Sequence, residues 1–333
     1  MVAGMTAALV VLSSFVASLL LLALILNLAG RFELLAHPNA RSSHLVATPT
    51  VGGIAIVVPI IILLAILSLN GNGSEDGMTL RLLIAVSFLA LIGFLDDLKG
   101  LGAGARLLCQ AASVALMVEG FGLSVPLFWL AVIGFLLLWH VNLFNFMDGI
   151  DGIAAVQTLL YCIGVLLLAD GVPGGWGLLL WTISGASIGF LAYNWPPARI
   201  FMGDVGALVL GLVLGVLVVA LAESGEVPFI ASIILLSGFW FDASYTLCVR
   251  MLTGQPFTQA HRSHLYQRLS DRLGHLGATS AFAVLGLIWL LPLAWLSMAE
   301  PRWALACLLA APMPYLIGAL AFKAGIQIEP DGR

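Results

Sequence analysis

The acidic residues of this chain fall in short blocks, and the blocks set out the chemistry on offer. Asp96 and Asp97 stand side by side in Gly-Phe-Leu-Asp-Asp-Leu-Lys at the end of an apolar run. Adjacent carboxylates beside hydrocarbon repel each other and are costly to ionise, so they need a cation, a proton or interfacial water. A divalent ion carried by a pyrophosphate meets that need, because Mg2+ takes one or two carboxylates plus phosphate oxygens. A solvated helix end with Lys99 as local counter-ion meets it as well. Asn142, Asn145, Asp148 and Asp151 then recur at every third position. On a regular helix each step of three turns about 60° backwards, so these four spiral round the cylinder and cannot all aim at one point. Gly149 and Gly152 permit a break that turns Asp148 and Asp151 towards a shared site. A capping turn accounts for the Asn/Asp/Gly composition but leaves Asn142 and Asn145 inside an apolar helix unexplained, which favours a functional role.

Asp204 sits in Met-Gly-Asp-Val-Gly ahead of another apolar run. An Asp there is a good helix N-cap, and the position also suits a ligand site, since a helix N-terminus attracts phosphate. Residues 259–269 read Gln-Ala-His-Arg-Ser-His-Leu-Tyr-Gln-Arg-Leu. His261 and His264 can share a helical face, and Arg262 and Arg268 add donors suited to phosphate and sugar oxygens. A basic amphipathic stretch on anionic headgroups is the plainer alternative. Zinc is a poor fit, because no third ligand of suitable spacing lies near the two His. Asp242 precedes Arg250 by eight residues, about 80° beyond two turns, so the two can border one groove without pairing directly. His140 reads as structural, and His37 and His275 carry little signal.

What must position these residues is a hydrophobic frame. Of 333 residues, 61% are hydrophobic and 9% charged, against roughly 25% charged in an ordinary soluble domain. That excludes a soluble enzyme and a disordered chain. The net charge of -4 builds no basic field for nucleic acid. Cys109, Cys162, Cys248 and Cys307 lie in apolar runs without CxxC or Cys/His spacing and read as buried fillers. Apolar runs bounded by Gly, Pro and charges predict helices near 7–29, 52–69, 79–95, 105–119, 126–142, 153–169, 176–193, 206–222, 228–249, 277–297 and 302–322. The expectation is an all-α polytopic membrane protein of about eleven spans, one domain over 1–333. Barrel strands would alternate, whereas Ile54 to Leu67 is apolar on all sides. The first run reads as a retained helix rather than a cleaved signal, since no Lys or Arg precedes Arg31.

Such spans put the connections alternately on two sides. Only Arg81 and Arg302 of the 13 Lys and Arg fall on one of them, so the other is expected to be cytoplasmic, with the N-terminus outside and the C-terminus inside. The cytoplasmic connections, 30–51, 96–104, 143–152, 194–205 and 250–276, hold Asn39, Arg41, His44 and Asn194 besides the residues above. Nearly all the reactive chemistry gathers at one membrane face. A bare span count suggests a transporter or lipid flippase, but carriers place ionisable groups near the midplane and usually show inverted repeats. Here the carboxylates gather at one surface and no repeat is visible, which favours an enzyme.

In order along the chain the blocks are His37-Pro38-Asn39-Ala40-Arg41-Ser42-Ser43-His44 with Thr48-Pro49-Thr50 and Gly52-Gly53, then Asp96-Asp97-Leu98-Lys99, then Asn142 to Gly152. They continue with Asn194 and Met202-Gly203-Asp204-Val205-Gly206, Asp242 with Arg250, and His261 to Leu269. Six blocks in this register resemble the polyprenyl-phosphate N-acetylhexosamine-1-phosphate transferases, glycosyltransferase family 4, which includes undecaprenyl-phosphate GlcNAc-1-phosphate transferase and phospho-MurNAc-pentapeptide translocase. The resemblance implies transfer of a sugar 1-phosphate from a UDP-N-acetylamino sugar to undecaprenyl phosphate with release of UMP. It also implies Mg2+, with Mn2+ as an alternative, and a site on the cytoplasmic face of the bacterial inner membrane.

By the same resemblance, Asp96, Asp97, Asp148, Asp151 and Lys99 are catalytic, and Asp204 and Asp97 hold the metal. Asn39, Arg41, His44, Asn142, Asn145, Asn194, His261, Arg262, His264 and Arg268 bind substrate. Homodimers occur in the family. The sugar-side loop, His261-Arg262-Ser263-His264, is less rich in histidine than in the GlcNAc and MurNAc-pentapeptide enzymes and closer to members that start O-antigen or related polysaccharides, so the donor sugar stays open. The residue chemistry agrees, because phosphoryl transfer chiefly needs charge neutralisation and in-line placement.

Overall fold

A computed structural model of the chain describes residues 2–29, 35–36, 48–70, 76–169, 171–172, 174–256, 259 and 261–326. The helices are α1 (Val2–Ala29), α2 (Ile54–Asn70), α3 (Asp76–Lys99), α4 (Ala103–Phe121), α5 (Leu127–Met147), α6 (Ile153–Leu168) and α7 (Gly174–Asn194). They continue with α8 (Gly203–Glu223), α9 (Phe229–Leu252), α10 (Leu265–Leu285), α11 (Leu291–Ala299), α12 (Ala304–Ala310) and α13 (Met313–Ala321). A π-helical turn over Gly286–Leu290 joins α10 to α11. The only strands among the described residues are β1 (Leu35–Ala36) and β2 (Thr48–Pro49), paired antiparallel. This is an all-α polytopic membrane protein.

Among the described residues, eight helical segments are long and apolar enough to cross a membrane, and α2 and α6 are shorter apolar helices. Helix α4, with 19 residues, is a little shorter than any of the eight and carries Arg106, Gln110 and Glu119, which dilute its apolar character. The first nine runs expected to be spans each lie on one helix, whereas 277–297 is divided among α10, the π-helical turn and α11, and 302–322 between α12 and α13 with a turn at 311–312. The expected connection 250–276 does not persist: the chain is helical again from Leu265, with a break at Gly274 (φ 71°). Apolar runs alone miss this segment because Tyr266 to Arg272 is mostly polar yet made largely of good helix formers. Likewise Asp96 to Lys99 are the last turn of α3 rather than loop.

Helix α8 is the centre of the bundle, buried along almost its whole length from Val205 to Leu221, and packs chiefly on α3 and α5. Lipid offers no hydrophobic drive between helices, so close approach of small residues must supply the packing. Gly93 does so where α3 crosses α8: a Cβ there would lie 2.6 Å from the Asp204 carbonyl oxygen and from Val205 Cα. Large apolar side chains such as Leu9, Leu20, Phe128, Ile288 and Ile317 face outward, as a lipid-facing surface requires. Helices α3 and α4 are clamped at both ends. Arg81 donates to both carboxylate oxygens of Glu119 (2.9 and 3.2 Å) at one end, and Arg106 reaches Asp96 (2.8 Å) at the other.

Candidate active site

The site forms where three helix ends meet: the last turn of α3, the first turn of α8 and the C-terminal end of α5. Gly203 sets the geometry of α8. Its φ of +72° is a left-handed conformation suited to glycine, and a Cβ there would press to 2.6 Å from Asp97 Oδ2. This turn delivers the first amides of α8 to Asp97, whose carboxylate accepts the N–H groups of Asp204 (2.9 Å) and Val205 (3.1 Å). The carboxylate that caps α8 therefore comes from α3, and the Asp204 side chain is left for the site.

Asp204 is bound on two sides. Asn145 donates from Nδ2 to Oδ1 (2.8 Å), and Arg106 Nη1 reaches Oδ2 (3.1 Å). The same Arg106 nitrogen bonds Asp96 Oδ2 (2.8 Å), while Asp96 Oδ1 accepts the Leu101 N–H. Asp148 is the C-cap residue of α5. Burial and the charges of Asp204, Asp97 and Asp151 push its carboxyl well above the usual carboxylate range. Lys99 stands exposed at the tip of α3.

Only Asn142 and Asn145 of the four lie on α5: the helix ends at Met147, Asp148 is its C-cap and Asp151 stands in the turn beyond. Asn145 faces Asp204 and Asp148 lies within reach of its charge, but Asn142 turns to α4, where its Nδ2 donates to Gln110 Oε1 (2.8 Å). Asp151 anchors the turn instead: Oδ2 accepts the Ala198 N–H (3.0 Å) and Oδ1 meets His275 Nδ1 (3.0 Å). Asn194 is buried in the same structural joint, accepting from Gly152 N–H (2.9 Å) and donating to the Ile200 carbonyl (2.8 Å). Asn39, Arg41 and His44 lie outside the described residues.

The second polar cluster surrounds the start of α10. Asp242, fully buried, accepts the N–H groups of Leu265 (2.8 Å) and Tyr266 (2.9 Å) and lies 3.5 Å from His264 Nδ1. His261 stacks on His264 at 4.9 Å and His264 on Tyr266 at 5.6 Å. Burial first, then neighbouring His264 and Arg250, bring His261 down to about 4, so its ring is neutral at physiological pH. The Tyr266 hydroxyl donates to the Phe146 carbonyl (2.9 Å), which ties this cluster to the end of α5 beside Asp148. Arg262 pairs with Asp271 (3.1 Å) and Arg268 donates to the Ile326 carbonyl (2.8 Å). Arg250 is buried behind them, bonding Gln255 and the Pro256 carbonyl.

Arg106, His275, Tyr266 and Gln110 were not singled out from the sequence as site residues. Arg106 had a usable signal: it follows Asp96 by ten residues across a turn containing Gly100 and Gly102, a hairpin that brings a cation back to the carboxylates.

An all-α bundle with acids from separate helix ends joined at one end of it defines a polytopic membrane enzyme site built for anionic chemistry. Residues 79–222 match the family described as glycosyl transferase family 4. The chain is 29% identical over 302 residues to a probable undecaprenyl-phosphate N-acetylglucosaminyl 1-phosphate transferase of Bacillus subtilis, covering 83% of this chain and 82% of that protein. It is 30% identical over 227 residues to a phospho-N-acetylmuramoyl-pentapeptide-transferase of Streptococcus pyogenes, 60% of this chain and 67% of that one. A decaprenyl-phosphate N-acetylglucosaminephosphotransferase of Mycolicibacterium smegmatis is 29% identical over 217 residues, 56% and 53% of the two chains. The chain belongs to glycosyltransferase family 4, the polyprenyl-phosphate N-acetylhexosamine-1-phosphate transferases.

Proposed function

We propose that the protein transfers an N-acetylamino-sugar 1-phosphate from a UDP-sugar to undecaprenyl phosphate, forming the lipid diphosphate sugar that begins O-antigen, lipopolysaccharide or another envelope polysaccharide. The observation that carries this reading is the cluster in which Arg106 joins Asp96 to Asp204 and Asn145 bonds Asp204, with the charge of Asp204 acting on Asp148, in a chain of this family. An oxygen of the lipid phosphate attacks the β-phosphorus of the UDP-sugar, the bond from that phosphorus to the bridging oxygen breaks, and UMP leaves with the bridging oxygen. A phosphate monoester dianion is already nucleophilic, which favours direct attack over an aspartyl intermediate. The reading further places eleven spans in the bacterial inner membrane, the N-terminus outside and the site on the cytoplasmic face, in accordance with the Lys and Arg distribution.

A divalent ion suits this donor set in chemistry, since Asp204, Asp148, Asp96 and Asn145 offer hard oxygens. The site is not a preassembled cage: among the described residues no three His, Cys, Asp or Glu are grouped to hold a metal. Mg2+ does not require one, as it commonly takes one or two carboxylates with phosphate and water. Asp204 would hold it; Asp97, whose oxygens cap α8, acts by fixing Asp204. When bound, the ion supplies charge neutralisation at the diphosphate. Asn145 orients Asp204, the neutral His261 and the His264, Arg262 and Arg268 segment line the sugar side, and Lys99 offers an exposed cation to the acceptor phosphate. Asn142, Asp151 and Asn194 hold the frame.

The test is UMP release from UDP-GlcNAc in detergent with undecaprenyl phosphate, with Mg2+ or EDTA. Lipid-dependent, EDTA-sensitive UMP is expected, and its absence across UDP-sugars varied at C4 and C6 would refute the reading. The same series identifies the donor.

A further inference from the structure

One guanidinium nitrogen, Arg106 Nη1, bridges two carboxylates from different helices: Asp96 Oδ2 at 2.8 Å and Asp204 Oδ2 at 3.1 Å. Asp204 Oδ1 is already bonded to Asn145 (2.8 Å), so every oxygen of Asp204 has a partner and the one facing Asp96 is held by a positive charge. A position between two carboxylates is where a divalent ion binds, and a cation of the chain's own fills it. The Arg106 side chain is about one-third exposed, while that of Asp96 is nearly buried, so the arginine is the partner free to move. It sits in the first turn of α4 after the Gly-containing connection from α3, and its long stem lets the head group swing without moving the helix.

We infer that Arg106 is a tethered counter-cation that a divalent ion displaces from Asp204, and that the guanidinium so released is the donor that receives the diphosphate. This rests on the reading that Asp204 holds the metal. A divalent ion and a guanidinium on the same Asp204 oxygen repel each other at close range, so the ion competes with Arg106; a planar fork of five N–H donors, once freed beside the site, matches phosphate oxygens. The arrangement has two consequences. The acids stay neutralised before substrate arrives, which spares the cost of clustered charge at the membrane edge. The nucleotide also finds its guanidinium only after the cation is in place, so binding is ordered.

Binding of Mn2+ to the detergent-solubilised protein without nucleotide, followed by the electron paramagnetic resonance signal of free Mn2+, separates these claims. R106Q is expected to bind Mn2+ about tenfold more tightly than the native protein, because neither ion pairs nor a nearby positive charge oppose the ion. Asp204→Asn is expected to lose the site. Equal or weaker binding in R106Q, with D204N still defective, would overturn the competition and leave the metal reading intact. Native-like binding in D204N would overturn the metal reading and the inference with it. A second measurement needs no variant: modification of Arg106 by phenylglyoxal, quantified by mass spectrometry in the native protein. Mg2+ should accelerate it several-fold and Mg2+ with UDP should suppress it again. No acceleration by Mg2+ overturns the displacement, and acceleration that UDP does not reverse overturns the diphosphate role.

Discussion

Asp97 on α3 accepts the backbone N–H of Asp204 on α8 at 2.9 Å, and that of Val205 at 3.1 Å, across more than a hundred residues of chain. Met202, the N-cap residue of α8, makes no side-chain cap bond, so Asp97 does that work from outside the helix. Its carboxyl oxygens face the amide end of α8, a favourable placement. Two neighbouring aspartates thus divide their labour: Asp96 is engaged by Arg106 and Leu101, Asp97 by the amides that aim Asp204.

Asp97→Ala should therefore act on stability as well as turnover. It orphans two partly buried amides, at about 1–3 kcal/mol each as an upper range, and it loosens Asp204. The expected outcome is a lower melting temperature in detergent together with loss of UMP release. Asp97→Asn keeps one acceptor and should melt between the two; a melting temperature unchanged in Asp97→Ala would remove the capping role.

Asp204→Asn should abolish turnover without unfolding the protein. Asparagine preserves volume and can still accept from Asn145, but its neutral amide gives up the charge that binds Arg106 or a metal. Near-native UMP release in this variant, checked against an unchanged melting temperature, would exclude Asp204 from the metal site.

Stability at Asp148 should depend on pH in a definite direction. Burial and the charges of Asp204, Asp97 and Asp151 raise its folded value above the ordinary 3.8. A raised carboxyl favours the fold when protonated, so its contribution is fully present below the unfolded value and is lost as pH rises through the folded one. Asp148→Asn removes that loss. Its melting temperature should exceed the native one at pH 7, and the difference should vanish as the pH falls below about 4. A stabilisation that is constant across that range would contradict the electrostatic origin, and one accompanied by full activity would deny Asp148 a part in the reaction.

The frame was largely legible because transmembrane helices announce themselves by uninterrupted apolar runs, as along Ile54 to Leu67. The site was legible in type but not in partnership. The six blocks named the acids, and the 3.6-residue period said that a regular helix could not aim Asn142, Asn145, Asp148 and Asp151 at one point; the break allowed at Gly149 and Gly152 occurs, but Asp151 is engaged by the Ala198 N–H and His275. Nothing local says that Asn145 and Asp148 would be the pair facing Asp204, since that depends on which face of α5 meets α8. The same limit hid the capping roles of Asp97 and Asp242, because a carboxylate that binds amides a hundred or twenty-odd residues away leaves no spacing signature. His275 looked uninformative for a related reason: its partner, Asp151, lies on a different helix connection.

Asp242 repeats at α10 the device that Asp97 provides at α8, and it offers the sharpest separation between holding a loop and touching substrate. Its carboxylate is fully buried, accepts the Leu265 and Tyr266 amides at 2.8 and 2.9 Å, and also receives the Thr246 hydroxyl at 3.2 Å. From that anchor the stacked rings of His261, His264 and Tyr266 are held, and Tyr266 in turn bonds the Phe146 carbonyl at the end of α5. Asp242→Leu leaves two buried amides without acceptors, about 1–3 kcal/mol each, and is expected to fold poorly. Asp242→Asn retains one acceptor and removes the charge beside His264, so it should fold while loosening the sugar-side segment. The segment positions donor but does not carry the displaced bond, so KM for the UDP-sugar should rise several-fold with a smaller fall in kcat, and KM for the lipid phosphate should stay near native. A fall confined to kcat would mean that Asp242 reaches the reacting groups rather than supporting the residues that do.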